Sequence, residues 1–178
     1  MKVVVINGRG GAGKDTFVNM CKNYAHCEAY SSVESVKQAA YCLGWTGGKG
    51  LADRKFLSDL KDLVTWYNDG PFEELRRIYE VKTTEDALLR SFNRQPRVDV
   101  LFFFVREPSE IERCVKAFNA KVLLIRRPID GDSKYGNHAD DDVEKFNYDY
   151  IIENDGDFEE LSSKARQFVE DIVGEKAD

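Results

Sequence analysis

The sequence predicts an α/β protein with three layers, in which a sheet of five parallel strands carries helices on both faces. Two observations favour this fold class. Short apolar runs recur along the 178 residues and alternate with segments of helical periodicity. The longest of these runs, Val100 to Val105, is apolar throughout, as expected for a strand buried on both faces. A chain of this length can bury a core of its own, so we expect a single domain over residues 1–178.

The first predicted strand, Val3 to Ile6, runs directly into a glycine-rich loop and then into a helix. The loop fits the G-x-x-x-x-G-K spacing of a phosphate-binding loop. Its glycines allow consecutive backbone N–H groups to face phosphate oxygens, and the following helix adds its positive end. We expect nucleotide phosphates to be bound by Gly8, Arg9, Gly10, Gly11, Ala12, Gly13, Lys14, Asp15 and Thr16.

The middle of the chain predicts a helical insertion. Helical spacing follows the loop to about residue 25, and Cys27 to Ser31 is a short second strand. Residues 32–95 then carry helical patterns and no strand, which predicts an insertion between the second and third strands. The expected pieces are a helix capped by Ser32, an amphipathic helix over Leu51–Tyr67, and two shorter helices over Phe72–Tyr79 and Thr84–Phe92.

The remaining elements complete the sheet. We expect a third strand over Val98–Val105, followed by a helix capped by Ser109. A fourth strand over Lys121–Ile125 is followed by a short lid-like loop over about 126–147. A fifth strand over Tyr148–Ile152 then leads to a last helix, which is capped by Asp157 and buries Phe158 and its helical neighbours. Ligands of parallel sheets bind at the carboxyl ends of the strands. The loop, Ser31, Arg106 and Arg126 all follow such ends.

Composition excludes several classes of function. The net charge of −6 argues against binding a nucleic-acid polymer, and the longest apolar run is too short to cross a bilayer. The four cysteines contain no C-x-x-C pair, so we expect free thiols in a reducing cytoplasm and no structural zinc. The amino terminus lacks a cleavable signal pattern, which also favours a cytoplasmic location.

Four segments resemble the P-loop nucleoside and deoxynucleoside monophosphate kinases. Asp15 stands where a P-loop usually has Ser or Thr, and the hydroxyl of Thr16 follows one position later, as in the GKGT loop of adenylate kinases; the GKDT sequence resembles phage-type deoxynucleoside monophosphate kinases. Residues 30–37, YSSVESVK, are similar to the segment that opens the acceptor region, and residues 105–110, VREPSE, resemble a D-V-R-F-P-N-E motif. Residues 149–156, DYIIENDG, are similar to the D-Y-V-I-x-N-D-G element of guanylate and dephospho-CoA kinases.

This resemblance covers most of the chain and implies a three-layer P-loop NTPase fold that uses ATP and Mg²⁺. The implied reaction is phosphoryl transfer to a (deoxy)nucleoside monophosphate or a similar small phosphorylated acceptor. Asn154, Asp155 and Gly156 are expected at the adenine, and Thr16 and Asp15 at the metal. Because phosphoryl transfer needs charge neutralisation, we expect catalytic roles for Lys14, Asp15, Arg106, Arg126 and Arg127, and acceptor binding by Ser31, Lys37, Arg54 and Arg106.

Two departures from the family leave alternatives open. Phe104 occupies the position of a carboxylate at the end of the third strand, and the lid-like loop lacks the long arginine-studded helix of adenylate kinases. One alternative is therefore an ATP-binding regulatory protein with reduced catalysis. Another is a small-molecule kinase similar to dephospho-CoA kinases. The sequence specifies neither the acceptor nor the oligomeric state.

Overall fold

The computed structural model describes residues 1–95, 97–128, 143 and 146–174. In chain order the elements are β1 (Lys2–Asn7), α1 (Lys14–Cys21), β2 (Cys27–Ser31), α2 (Glu34–Cys42), α3 (Leu51–Asn68), α4 (Gly70–Ser91), β3 (Val100–Phe104), α5 (Pro108–Phe118), β4 (Lys121–Arg126), β5 (Tyr150–Glu153) and α6 (Phe158–Gly174). Most of the lid-like loop predicted over 126–147 lies outside the described residues.

The five strands form one parallel sheet in the order β2-β3-β1-β4-β5, which confirms the predicted fold class. β1 is the central strand and pairs with β3 on one side and β4 on the other. Ile6 stands opposite Phe104 of β3 and Leu123 of β4. This central position brings the loop after β1 to the middle of the carboxyl edge of the sheet, where ligands of parallel sheets bind.

Alternate residues of the strands face two separate cores. On one face, Val4 and Ile6 pack with α1 and α6, whose Phe17 and Phe168 rings meet edge to face. On the other face, Val3 and Val5 pack with α4 and α5. Helices therefore cover both faces, and the period-two alternation of a strand divides β1 between the two cores.

α2, α3 and α4 lie between β2 and β3 in the chain, where the helical insertion was predicted. The prediction of two short helices after residue 70 was wrong, because α4 is one helix of 22 residues. Its middle, where the β-branched Val81, Thr83 and Thr84 weaken helix propensity, is held by a bond from Lys82 Nζ to Glu28 of β2 at 3.0 Å.

α3 forms nearly where its periodicity predicted, yet none of its residues is buried. Leu63, Trp66 and Tyr67 are more than half exposed. The amphipathic pattern thus identified the helix correctly, while the implied burial of its whole apolar face is wrong, because α3 packs only along the side that meets α2 and α4.

The predicted start is correct for α6 and wrong for α5 and α2. Asp157 caps α6 as expected, accepting a hydrogen bond from Glu160 N–H at 2.9 Å, but Phe158 is 73% exposed and is not part of the buried face. α5 begins earlier than predicted, with Glu107 before it and Pro108 in its first turn, because the fixed φ of proline suits that position. Ser32 does not cap α2, which starts after Val33 without a side-chain cap.

Among the described helices, none has both the length and the apolar character that crossing a bilayer requires.

All four cysteines are free thiols, as predicted. Cys42 is exposed, whereas Cys21, Cys27 and Cys114 are buried. Burial raises the pKa of the Cys27 thiol to about 11 and that of Cys114 to about 12, and it raises the pKa of Cys21 as well.

These thiols should react unequally with an aromatic disulfide reagent at neutral pH. A raised pKa leaves almost no thiolate, the reactive form, so only Cys42 should react quickly in the folded protein. All four thiols should react after unfolding. The absorbance of the released thiol measures both phases. The Cys42→Ser variant serves as the control and should lose the fast phase; fast reaction of two or more thiols in the folded protein would contradict the burial described above.

Candidate functional site

The glycine-rich loop depends on backbone conformations that side chains disfavour. Gly11 and Gly13 have φ angles of 80° and 95°, in the left-handed region. Gly8 has a φ of 145°, and a Cβ there would lie 2.4 Å from the Ile125 carbonyl oxygen of β4. The loop therefore leaves β1 in contact with the neighbouring strand, and glycine is required at Gly8 for space as well as for conformation.

Asn154 braces the loop from the end of β5. Its Nδ2 donates to the Ala12 carbonyl oxygen at 2.8 Å, while its own N–H donates to the Arg126 carbonyl oxygen at 2.7 Å. A Cβ on Gly13 would come within 2.4 Å of the same Nδ2. Asn154, which was predicted at the adenine, thus holds the backbone of the glycine-rich loop directly.

Lys14 closes the loop on itself. Its Nζ donates to the carbonyl oxygens of Gly8 at 2.5 Å and Arg9 at 2.9 Å. The ammonium is consequently held over the loop, at the start of α1. Asp15, the next residue, is exposed and faces the large cleft described below.

One open cleft of about 1680 Å³ lies between the loop, the carboxyl ends of β2 and β3, and the helices α2, α3 and α4. It brings together residues that were predicted from separate parts of the sequence. On its wall lie Gly10, Gly11, Lys14, Asp15, Ser31, Lys37, Arg54, Phe104, Arg106 and Glu107.

The residues predicted to bind an acceptor differ in their present contacts. Lys37 pairs with Glu34 one turn earlier on α2 at 3.3 Å, and both side chains are more than a third exposed. Arg54 Nε donates to the Lys49 carbonyl oxygen at 3.1 Å. Ser31 Oγ accepts the Val33 N–H at 3.4 Å. These contacts are exposed or long, so each side chain can turn toward a ligand at small cost.

Besides Asn154, four predicted site residues lie away from this cleft. Arg126 pairs with Glu153 of β5 at 2.6 Å, and Arg127 is exposed beyond β4. Asp155 lies 3.4 Å from Lys164 of α6, near the exposed Gly156. This group stands at the β4–β5 end of the sheet, on the other side of the loop from the cleft.

Sequence reasoning missed Asn7, which is 1% exposed. Its Oδ1 accepts the Gly8 N–H at 2.8 Å, and its Nδ2 donates to Tyr148 Oη at 2.9 Å and to the Arg106 carbonyl oxygen at 3.3 Å. Asn7 therefore connects the loop to the end of β3 and to the start of β5. The available signal was a polar residue at the end of an apolar strand, directly before the glycines.

Two ion pairs that were not predicted contribute side chains to the cleft wall. Lys61 of α3 pairs with Glu110 of α5 at 2.9 Å, with both side chains less than a fifth exposed. Farther along, Glu28 accepts bonds from Tyr30 Oη at 2.6 Å and Lys82 Nζ at 3.0 Å. Burial alone would raise the pKa of the Glu28 carboxyl, but these bonds outweigh it and lower that pKa. Both pairs join different elements and so stiffen the wall.

Among the described residues, no three His, Cys, Asp or Glu side chains gather closely enough to hold a metal ion by themselves. A Mg²⁺ ion that accompanies a nucleotide needs only one or two protein carboxylates or hydroxyls, because phosphates and water complete its octahedron. Asp15 and Glu107 are carboxylates on the cleft wall, and Thr16 lies in the first turn of α1.

No protein-family model matches the chain, and a search of curated proteins returned no match. Solved structures do resemble it. A dephospho-CoA kinase from Campylobacter jejuni is 14% identical over 98% of both chains, with a TM-score of 0.46. A sugar kinase from a Janibacter species is 13% identical, covering 97% of this chain and 95% of its own, at a TM-score of 0.44. An APS kinase from Mycobacterium tuberculosis is 13% identical, covering 95% of this chain and 96% of its own, at a TM-score of 0.42. Likenesses this distant assign no activity.

The brace on the loop predicts a non-additive pair of substitutions. Gly13→Ala should lower the melting temperature by roughly 4–8 °C, because alanine is strained at this φ and its Cβ meets Asn154. Asn154→Ala should also destabilise, because it leaves the Ala12 carbonyl without this partner. In the double variant the melting temperature should fall by less than the sum of the two single effects, because removing the Asn154 amide also removes the clash.

Calorimetry of the four proteins measures this coupling. Gly10→Ala is the matched control, because a Cβ at Gly10 would meet no atom within 4 Å and its φ lies outside the left-handed region. It should leave the melting temperature nearly unchanged. Strict additivity of the two substitutions would contradict the contact between Gly13 and Asn154.

Proposed function

We propose that this protein catalyses ATP-dependent phosphoryl transfer to a small phosphorylated acceptor, most simply a nucleoside or deoxynucleoside monophosphate. The observation that carries this proposal is the joint position of two cationic groups in one cleft. The phosphate-binding loop with Lys14 forms one end, and Lys37, Arg54 and Arg106 stand on the other walls. A protein that only hydrolysed or sensed ATP would not need the second group.

The loop fits a nucleoside triphosphate. Its glycines keep the backbone free of Cβ atoms where phosphate oxygens approach, and the amino end of α1 adds partial positive charge. Lys14 Nζ already lies over the loop carbonyls and can exchange these neutral acceptors for phosphate oxygens. When bound, ATP supplies the phosphoryl group to be transferred.

The cations on the opposite walls suit a charged acceptor. Arg106 is exposed at the end of β3, beside the loop, and its planar guanidinium can bind a phosphate through two parallel hydrogen bonds. Lys37 and Arg54 approach from α2 and α3. Phosphoryl transfer depends mainly on holding two anionic groups in line against their mutual repulsion. We assign this work to Arg106 together with Lys14.

We assign metal binding to Thr16 and Asp15. Asp15 faces the cleft at the amino end of α1, where its carboxylate is favourable for the helix and can hold a metal directly or through water. Glu107 is a second carboxylate that lines the cleft. Arg126 and Arg127 lie apart from the cleft, so a catalytic role for either one requires a movement of the β4–β5 end, and we assign them none in the present arrangement.

A second candidate function is nucleotide binding without transfer. Phe104 favours it, because this half-buried ring lies on the cleft wall beside Ser31, at the position where the related kinases carry a carboxylate. An apolar group there can neither bind a metal nor position a polar acceptor. Transfer then depends on Asp15 and Glu107.

An acceptor screen tests the two candidates. ADP release should be measured with ATP, Mg²⁺ and each member of a panel of nucleoside and deoxynucleoside monophosphates and dephospho-CoA. We expect turnover that depends on one or a few acceptors. In Arg106→Ala this turnover should fall roughly 100-fold or more, while ATP affinity changes little, because Arg106 lies outside the loop. Tight ATP binding without turnover for any acceptor would instead support the second candidate.

Lys14→Ala tests the loop separately. The loss of a charged group from the phosphate site should weaken ATP binding by roughly 10- to 1000-fold in calorimetric titration, because hydrogen bonds to charged groups contribute strongly. Unchanged ATP affinity would exclude the loop as the nucleotide site. Lys116→Ala, which changes an exposed lysine on α5 that does not line the cleft, is the matched control and should bind ATP normally.

Asp15→Ser would restore the general P-loop pattern. If Asp15 supplies the carboxylate that is missing at Phe104, the turnover rate of this variant should fall at least tenfold. Raising the Mg²⁺ concentration should restore part of that rate. The acceptor-dependent rate at several Mg²⁺ concentrations is the measurement. Full activity in Asp15→Ser would show that Asp15 has no special role.

A further inference from the structure

α3 carries a stripe of large apolar side chains that nothing in the described chain covers. Tyr67 is 77% exposed, Leu63 57% and Phe56 36%, and Leu60 is half-buried among them. Trp66, beside the stripe, is 81% exposed. We call Phe56, Leu60, Leu63 and Tyr67 the α3 seam. Scattered single apolar residues on a surface are ordinary, but a contiguous group with two aromatic rings indicates an interface.

The seam has the spacing of a helix–helix contact. Its residues follow one another at intervals of four, three and four, which are the a and d positions of a heptad. The intervals read the same in both directions. A two-fold axis midway between Leu60 and Leu63 therefore places Leu60 of one copy beside Leu63 of another, and Phe56 beside Tyr67, in an antiparallel pair. Such self-complementarity is the condition for an isologous interface.

Charge does not oppose this pairing. The net charge of the chain is −6, so two copies repel each other in general. On the exposed flank of the seam, however, Lys55 and Asp59 neutralise each other in an ion pair at 2.8 Å. The seam itself contains no charged residue. An identical surface can approach it without bringing like charges together.

The area is sufficient for a weak to moderate dimer. With aromatic side chains that offer about 150–250 Å² each, the exposed parts of the seam and Trp66 amount to roughly 500 Å² per copy. The pair would bury about 1,000 Å², near the lower bound for a specific interface. The stripe also lies at the upper end of what monomers expose.

We propose that the α3 seam is a dimer interface, on which α3 of a second copy packs antiparallel. The α3 residues on the cleft wall, Leu57, Lys61 and Thr65, occupy a different side of the helix, so the cleft of each copy stays open. The interface supplies α3 with the burial that its own chain does not give it. It does not depend on which reaction the cleft supports.

Sedimentation equilibrium of the full chain tests the proposal. Between about 1 and 100 µM the average mass should rise from 20.4 kDa toward twice that value. Leu63→Glu with Trp66→Glu should weaken association roughly 100-fold or more, with an unchanged circular dichroism spectrum. Leu88→Glu, a matched change of a 59% exposed leucine on α4, should associate as the unmodified chain does. A monomer at all concentrations, or equal loss in the Leu88 variant, would overturn the proposal.

Cysteine cross-linking tests the antiparallel arrangement. All variants carry Cys42→Ser, which removes the exposed native thiol. Phe56→Cys with Tyr67→Cys should oxidise to a covalent dimer on a non-reducing gel, as should a mixture of the two single variants. Neither single variant should cross-link alone. Self-linking of each single variant would demonstrate a parallel contact, and absence of any link would exclude the seam; either result overturns the arrangement proposed.

Discussion

The contact between Gly8 and the Ile125 carbonyl is the constraint on which the site depends. β1 is hydrogen-bonded on both sides, so its last residue cannot shift without breaking two ladders. The chain must then turn at once beside β4, in a space that admits no Cβ. From this fixed point the loop takes its course, Lys14 reaches back over it, and Asn7 and Asn154 secure it from two directions. The glycine-rich loop is held in place because it starts from the central strand of the sheet.

Sequence predicted the parts of this structure that depend on local chemistry. The strand, glycine-rich loop, lysine and helix were recognisable because their spacing is that of a phosphate-binding loop, and the short strand β2 was placed correctly at Cys27–Ser31. It could not show that Asn154 supports the loop, because a hydrogen bond across 142 residues leaves no local trace. The sequence could not show that Arg126 lies apart from the cleft, for a similar reason. An arginine at the end of a strand has the same sequence pattern whether it pairs with a carboxylate such as Glu153 or binds a ligand.

The two sides of the cleft are held to very different degrees. The loop side rests on the sheet and on residues that are almost fully buried. The α3 side has no buried residue and is attached to the rest through contacts such as the Lys61–Glu110 pair and its packing on α2 and α4. Local opening is cheapest where little apolar area is buried. Motion that widens or narrows the cleft should therefore concentrate in α3, while the side formed by the glycine-rich loop stays in place.

The brace between Asn154 and the loop also has a consequence for the order in which the protein matures. Residues 8–16 leave the ribosome before β3 and β4, which flank β1 and follow about a hundred residues later, and Asn154 comes later still. Until then the glycine-rich segment has no neighbours to fix its backbone. A nascent or truncated chain that lacks β5 would therefore contain the whole glycine-rich motif in sequence and still lack Asn154, which holds the backbone of that motif in place.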